Sequence, residues 1–150
     1  MRLIRALDEA IELEERIQVC YNLISKTTKD GVSEELRQLA REEKSHVNVL
    51  RTGKSFVIRT PDAFGQESLS REEIRRGVKA AADLEEGLKA QKMEYRRALE
   101  RIYDLEKKYE RIHMNTAVEF KDYSLRKLFE ALARADAEHR QRLERLIAQL

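Results

Sequence analysis

Leu39-Ala40-Arg41-Glu42-Glu43-Lys44-Ser45-His46 is a stretch that occurs twice in this chain. Its second copy, at an offset of 93 residues, is Leu132-Ala133-Arg134-Ala135-Asp136-Ala137-Glu138-His139. Each copy lies in a helix-period pattern and places a carboxylate three residues before a histidine. Because residues i and i+3 share one face of an α-helix, Glu43 with His46, and Asp136 with His139, each present two ligand groups to one point. The rest of the chain can be read as a scaffold that turns these pairs toward each other.

The repeat extends beyond these two stretches. Ala6-Leu7-Asp8 matches Ala98-Leu99-Glu100, and Glu12-Leu13-Glu14-Glu15 matches Asp104-Leu105-Glu106-Lys107, both at an offset of 92. The spacing of the carboxylates is also kept, with 29 residues from Glu14 to Glu43 and 30 from Glu106 to Asp136. This self-similarity predicts two helical hairpins related by internal duplication. In each hairpin, the first-helix carboxylate would lie level with the carboxylate–histidine pair of the second helix.

Composition predicts a single helical domain over residues 1–150. Charged residues make up 39% of the chain and aromatic residues 6%, a mixture typical of long helices. The 30 basic residues are matched by 28 acidic ones, and no basic block is interleaved with aromatics, so nothing indicates nucleic-acid binding. No apolar run reaches the ~20 residues that span a bilayer, and acids come too early for a signal peptide. We therefore expect a cytoplasmic protein without a membrane partner.

Apolar periodicity places the first hairpin at about residues 3–51, with a turn at Lys29-Asp30-Gly31 and a second helix starting at Ser33. Residues 52–69 break the pattern with two glycines and the only proline. That segment is long for a helix-to-helix connection, and it predicts a crossover that lets the third helix run parallel to the second.

The second hairpin is predicted at about residues 70–150. A capping box at Ser70 opens a third helix with no strong breaker until about Met114, and a loop over 114–124 precedes the last helix. Unbroken, the third helix would be about 66 Å long, more than a compact bundle needs. It either bends near residues 92–97, or its first half packs on a second copy of the protein. The second alternative is favoured because its apolar face needs a partner, and it predicts a homodimer, with helices or hairpins exchanged between chains.

Polar residues interrupt the apolar seams that should be buried. Glu14 falls between Ala10 and Ile17 on the first seam, and the other seams carry further acids and histidines. Four buried carboxylates without counter-charge would each cost several kcal/mol. Two divalent cations would supply +4 against −4 with neutral imidazoles, and oxygen and imidazole ligands suit iron or manganese. Buried salt bridges, for which Arg41 and Arg134 are near in sequence, are the alternative.

These residues resemble the rubrerythrin-like branch of the ferritin-like superfamily. The resemblance rests on a Glu seven residues before a Tyr (Glu14 and Tyr21), then Leu-Ala-x-x-Glu-x-x-His, a second such hairpin and a long crossover, and it covers about residues 6–50 and 98–146. It implies a ferritin-like four-helix bundle with one long crossover connection, here with an extended third helix, holding two iron ions. Manganese or a mixed pair is the alternative. Carried across by position, the metal ligands are Glu14, Glu43, His46, Glu106, Asp136 and His139.

Some positions depart from the family pattern or leave a choice open. Asp136 stands where the family has Glu, and it is one methylene shorter. For the third-helix ligand, Glu106 ranks before Glu85 and Glu94. His113 occupies the place of Tyr21 but lies two turns from Glu106, about 10 Å, which favours a core or helix-terminal role over a ligand role. Tyr21 itself is a candidate catalytic residue, as a hydrogen-bond donor beside the ligands or a radical trap, or else an ordinary core aromatic.

The resemblance implies a protein that oxidises Fe(II), or reduces hydrogen peroxide or O₂, at a carboxylate-bridged dinuclear site. Cys20 is the only cysteine, so the chain has no paired cysteines for an electron relay of its own. Electrons for turnover would come from a separate donor, such as a rubredoxin. The alternative function is a non-catalytic helical interaction protein with a degenerate or empty metal site.

Overall fold

The computed structural model describes residues 2–28, 30–64, 71–90 and 93–150, and within these ranges it contains helices and no strands. The predicted all-α class is confirmed. None of the described helices combines the length and the apolar character needed to cross a bilayer. The helices are α1 (Arg2–Ser25), α2 (Asp30–Arg59), α3 (Glu72–Lys89), α4 (Tyr95–Glu119) and α5 (Tyr123–Ala148), with a 3-10 turn at Pro61–Phe64.

Helices α1 and α2 form one antiparallel hairpin, and α4 and α5 form another. At the first turn, the Ser33 hydroxyl donates to the backbone carbonyl of Ser25, 2.9 Å away. Ser33 thus satisfies a carbonyl at the end of α1 and does not start α2. α2 begins three residues earlier than predicted. The second hairpin turns at residues 120–122, where the Asp122 side chain accepts a hydrogen bond from the Leu125 amide and caps α5.

The two hairpins pack against each other around two apolar clusters. One cluster gathers the N-terminal half of α1, including Leu3 and Leu7, with the middle and C-terminal part of α2 and the start of α5. The other gathers the C-terminal half of α1, including Ile17 and Ile24, with the start of α2 and the end of α5. Glu43 of α2, with Asp136 and His139 of α5, falls in sequence between the segments that supply these two clusters, and Glu14 of α1 lies next to their boundary. The fold therefore places a polar layer across the middle of the core.

The predicted ends of α2 and α4 differ from those observed. α2 continues through Gly53 to Arg59, so the irregular segment starts later than residue 52. A mid-helix glycine costs about 1 kcal/mol, but buried Leu50 and Val57 extend the apolar stripe across it. α4 continues to Glu119 because Thr116 and Ala117 are buried, so the predicted loop over 114–124 is mostly helix. The crossover's Gly65 and the capping residue Ser70 lie outside the described residues.

The prediction of one extended third helix is wrong. The chain leaves helical structure after Lys89 and starts α4 at Tyr95, so α3 and α4 are separate helices. α3 packs between α1 and α4 of the same chain: the Cys20 thiol lies 3.6 Å from the Ala81 carbonyl, and the Tyr109 hydroxyl donates to the Gly77 carbonyl over 3.1 Å. Its apolar face therefore has a partner within the chain. A second copy is therefore not needed to cover this face, and the predicted homodimer stays a prediction.

Candidate metal centre

The four carboxylates predicted as ligands lie together in the polar layer. Glu14 on α1, Glu43 on α2, Glu106 on α4 and Asp136 on α5 are each 0% exposed. Each stands on the apolar stripe of its helix, so burying the stripe also buries the acid. Four different helices therefore deliver one carboxylate each to the same layer.

The two predicted histidine ligands stand on either side of Glu43. His46 Nδ1 is 3.3 Å from Oε2 of Glu43, and His139 Nδ1 is 2.9 Å from Oε1 of the same carboxylate. His139 Nδ1 also lies 3.3 Å from Glu106 Oε1. The two imidazole rings stack with their centroids 5.8 Å apart. His139 is buried, whereas 17% of the His46 side chain is exposed, so the layer reaches the surface of α2 at His46.

Within the described residues, the donor atoms fall into three groups, each with all atoms within 4.8 Å of one another. Glu43 belongs to two of these groups, which makes them neighbours that share one carboxylate. Glu14 also belongs to two groups, one with His46 and one with His113. The groups are Glu14 with Glu43 and His46; Glu43 with Glu106 and His139; and Glu14 with His113 and Asp136.

His113 belongs to this layer, so it is buried in the core, one of the two predicted roles, and is not at a helix end. It is 1% exposed, its Nδ1 lies 2.5 Å from Asp136 Oδ2, and its Nε2 lies 3.3 Å from Glu14 Oε1. α4 runs six residues past it, to Glu119, so it is not at a helix end. Its distance from Glu106 along α4 did not exclude it, because Glu14 and Asp136 come from other helices. A histidine on the buried seam was the signal in the sequence.

Asp136 does not group with His139, its predicted partner three residues on. The shorter side chain pairs with His113 instead, and its other oxygen, Oδ1, has no hydrogen-bond partner. The two lower-ranked alternatives to Glu106 lie elsewhere: Glu85 on α3 pairs with Arg16 and Lys89, and Glu94 is exposed just before α4. Of the three candidates for this ligand, Glu106 on α4 is the one that the fold brings into the layer.

Two further contacts orient the donor groups. The buried Tyr21 hydroxyl donates to Glu106 Oε1 over 2.7 Å, which places this candidate catalytic residue directly against a predicted ligand. Glu42, which was not predicted, lies 3.2 Å from His139 Nε2 and is itself held by Arg142 at 2.8 Å. A carboxylate on the far nitrogen of a metal-binding histidine fixes the ring's tautomer and orientation. Nothing in the sequence distinguishes Glu42 from its many surface neighbours.

Within the described residues, no arginine or lysine pairs with any of the four buried carboxylates. Arg41, the nearest candidate in sequence, pairs with Glu34 on the surface, and Arg134 is exposed. The salt-bridge alternative therefore has no support in the geometry. Buried donor atoms in the layer remain without a hydrogen-bond partner, at a cost of about 1–3 kcal/mol each if nothing else binds them. They are Glu14 Oε1 and Oε2, Glu43 Oε1, Glu106 Oε2, His113 Nε2 and Asp136 Oδ1.

Protons must balance the layer in the absence of a cation. Burial, aided by Glu43, raises the pKa of Glu14 to about 7, and burial, aided by Glu106, raises the pKa of Asp136 well above its usual range. Burial opposes the charged form of His46 and His139, but their carboxylate contacts outweigh it, raising the pKa of His46 to about 10 and of His139 to about 11. Burial lowers the pKa of His113, which favours a neutral ring.

The donor set suits a hard or borderline divalent cation. It consists of carboxylate oxygens and imidazole nitrogens, the ligands that Fe(II) and Mn(II) accept. The thiol of Cys20 lies against α3, and burial raises its pKa to about 12, so it offers no thiolate. Comparison of the chain with family models, with curated proteins and with solved structures found no match.

Proposed function

We propose that this chain is a rubrerythrin-like di-iron protein with a ferritin-like four-helix bundle. In this proposal, α1, α2, α4 and α5 are the bundle, and residues 60–94, with α3 among them, are the long crossover. The position of Glu43 carries the proposal, because its two oxygens face the imidazoles of His46 and His139. A carboxylate held between two histidines is placed to bridge two metal ions.

The charge of the layer supports the same function. Two divalent ions would contribute +4, which balances four carboxylates beside neutral imidazoles, whereas the raised pKa values of Glu14, Asp136, His46 and His139 favour protons there in the metal-free protein. Metal binding requires deprotonated ligands, so the ions would displace these protons. They would also give partners to the buried donor atoms that have none. A helix bundle without a binding role would avoid the cost of this layer by using apolar residues.

In this proposal each ion has its own set of ligands. The first would be held by Glu14, Glu43 and His46, and the second by Glu43, Glu106 and His139, with Asp136 added on the resemblance. Two iron ions bound here would supply the two electrons that, with two protons, reduce one hydrogen peroxide to two waters; O₂ is the alternative oxidant. The partly exposed edge at His46 lies where a small oxidant would reach the layer.

The source of electrons sets which activity results. With a separate donor, such as a rubredoxin, the ions would be reduced again after each oxidation, and the protein would act as a peroxidase. Without a donor, the same site would oxidise Fe(II) as a substrate. Both activities depend on the same ligands, so they are tested together with the metal site.

A non-catalytic helical interaction protein is the second candidate. The pairing of Asp136 with His113, away from His139, favours it, because a dinuclear site that has lost one ligand would bind metal weakly. This candidate predicts less than one ion per chain. It also predicts that no buried carboxylate is needed for the protein's role.

The decisive experiment is elemental analysis of the protein after anaerobic addition of Fe(II). Wild type should carry two ions per chain, Glu43→Ala should lose both, and Glu85→Ala, which alters a glutamate outside the layer, should keep both. Less than one ion in wild type that does not rise with added Fe(II) would favour the interaction protein. Peroxide consumption with an added donor, compared between wild type and Glu43→Ala, then tests turnover.

A further inference from the structure

The pair formed by His113 and Asp136 has a geometry of its own within the layer. His113 Nδ1 and Asp136 Oδ2 are 2.5 Å apart, and both side chains are buried. A proton on Nδ1 in this contact would leave a free lone pair on Nε2. That nitrogen has no hydrogen-bond partner and lies 3.3 Å from Glu14 Oε1.

We infer that His113 binds the first metal ion through Nε2, and that Asp136 acts as the carboxylate that orients His113 rather than as a bridging ligand. This inference rests on the proposed dinuclear site. It differs from the ligand set that the resemblance implies, in which the residue at this position of the repeat is a tyrosine and Asp136 is a ligand. Metal-bound histidines commonly donate their other ring N–H to a carboxylate, and the contact of His113 Nδ1 with Asp136 Oδ2 has the geometry for this.

His139, on α5 of the same hairpin, has the same arrangement of carboxylate, imidazole and metal position. His139 turns Nε2 to Glu42, 3.2 Å away, and Nδ1 to Glu43 and Glu106. In His113 the roles of the two nitrogens are exchanged, because Nδ1 faces the orienting Asp136 and Nε2 faces Glu14. Each of these rings therefore has one nitrogen held by a carboxylate and the other directed at the shared layer.

The length of the Asp136 side chain explains why it contacts His113 rather than reaching a metal ion. A glutamate at this position would extend one methylene further into the layer. Aspartate ends at His113, where its Oδ2 is already engaged. The first ion would then have two imidazoles, from His46 and His113, and the second ion one, from His139. The two ions would be inequivalent, with the first richer in nitrogen.

Loading the full chain with Co(II) under anaerobic conditions tests this assignment without any turnover. Co(II) shifts the proton resonances of bound imidazoles, and the ring N–H protons of His113 and His139 are shielded from exchange by Asp136 and Glu42. Wild type should show both shifted N–H resonances and bind two ions. His113→Phe should lose one of these resonances. Its affinity for one of the two ions should fall at least tenfold, as expected for loss of a ligand.

Two more variants separate the roles. Asp136→Asn keeps an oxygen that accepts from Nδ1–H, so it should keep both resonances and both ions, with the affinity for one ion lowered. Thr116→Val alters a buried polar residue one turn from His113 and should match wild type. Helix content from circular dichroism checks folding, and His113→Gln replaces His113→Phe if the latter does not fold.

Two results would overturn the assignment. One is His113→Phe with the resonances and Co(II) affinity of wild type. The other is loss of a whole ion in Asp136→Asn, which would make Asp136 a ligand. Failure of wild type to bind any Co(II) or Fe(II) is a different result, because it removes the proposed function itself and this assignment with it.

Discussion

The Tyr21 hydroxyl donates a 2.7 Å hydrogen bond to Oε1 of Glu106, which belongs to the opposite hairpin. An equivalent relationship runs in the opposite direction, from the second hairpin to the first. His113 lies 92 residues after Tyr21, and its Nε2 is 3.3 Å from Glu14, which lies 92 residues before Glu106. The residue seven positions after each first-helix carboxylate thus reaches the corresponding carboxylate of the other hairpin, and each hairpin completes the other's half of the site.

Tyr21→Phe should keep two metal ions per chain but lower the affinity of the second ion about tenfold, because Tyr21 orients the carboxylate of Glu106. The metal-free protein should also lose about 1–3 kcal/mol of unfolding free energy, since a buried carboxylate loses its donor. Metal titration and urea denaturation measure the two effects.

Tyr109→Phe is the matched control for Tyr21→Phe. Tyr109 is equally buried, but its hydroxyl donates to the Gly77 carbonyl and not to a carboxylate. This variant should lose stability while its metal affinity stays at the wild-type value. Equal metal affinity in the two variants would show that Tyr21 is a core aromatic with no role at the ligands.

Glu42→Ala should lower metal affinity by about tenfold or more, because it removes the carboxylate that fixes the ring of His139. Metal titration measures the loss. Glu34→Ala is its control: Glu34 lies on the same helix and pairs with Arg37 and Arg41 at the surface, away from the layer. A Glu42→Ala protein that binds metal as tightly as Glu34→Ala would leave Glu42 a surface residue paired with Arg142.

Much of the site could be predicted because the repeat encodes it directly. The offset of 92–93 pairs Glu14 with Glu106 and His46 with His139, and helical periodicity puts them on buried seams. The contacts between side chains of different helices could not be predicted in this way. Whether His113 reaches Asp136 depends on the axial offset of α4 against α5, which is fixed by packing and has no local sequence signal.

A bend near residues 92–97 was one of the two predicted alternatives for the third helix, but the sequence did not favour it over a continuous helix that packs on a second copy. Between Leu88 and Tyr95 the sequence contains neither proline nor glycine, so local propensity favours a continuous helix. The described structure instead places α3 beside α1, where Ala81 and Leu84 are buried. Packing of this apolar face within the chain is a tertiary contact, and such a contact is not visible in a single helical stretch.

The metal-free protein should become less stable as pH rises from about 5 to about 9. The folded-state pKa of Glu14, about 7, exceeds its ordinary 4.5, so its contribution is complete below pH 4.5 and is lost as pH rises through 7. The loss is on the order of 3 kcal/mol. His46 adds to it, because its contribution is complete below pH 6.5 and is lost through 10.

Urea denaturation in the presence of a chelator, at about pH 5, 7 and 9, measures this dependence. Glu9 does not disturb this measurement. Its pKa is lowered by the hydrogen bond from Arg71, so the stability that it contributes is already present near pH 5 and above. The Mn(II)-loaded protein should show the opposite trend, since metal binding requires the deprotonated ligands. A metal-free protein that gains stability between pH 5 and 9 would contradict the raised pKa values of the layer.

Gly77→Ala should destabilise the fold, because α3 packs most closely at this glycine. A Cβ there would lie 2.9 Å from Leu13 Cδ1, 3.1 Å from Ile112 Cδ1 and 3.3 Å from Tyr109 Cε1. Overpacking a buried site costs about 1–3 kcal/mol, whereas the alanine recovers up to about 1 kcal/mol of helix propensity. We expect a net loss of about 1 kcal/mol or more in unfolding free energy.

Gly31→Ala is the matched control, because Gly31 is also helical but exposed, and a Cβ there meets nothing within 4 Å. It should gain about 0.4–1 kcal/mol by restricting the unfolded chain. Chemical denaturation of both variants at two protein concentrations also separates packing within one chain from packing on a second copy. If the loss in Gly77→Ala disappears on dilution, α3 makes its contact with another molecule; a loss independent of concentration places α3 between α1 and α4 of its own chain.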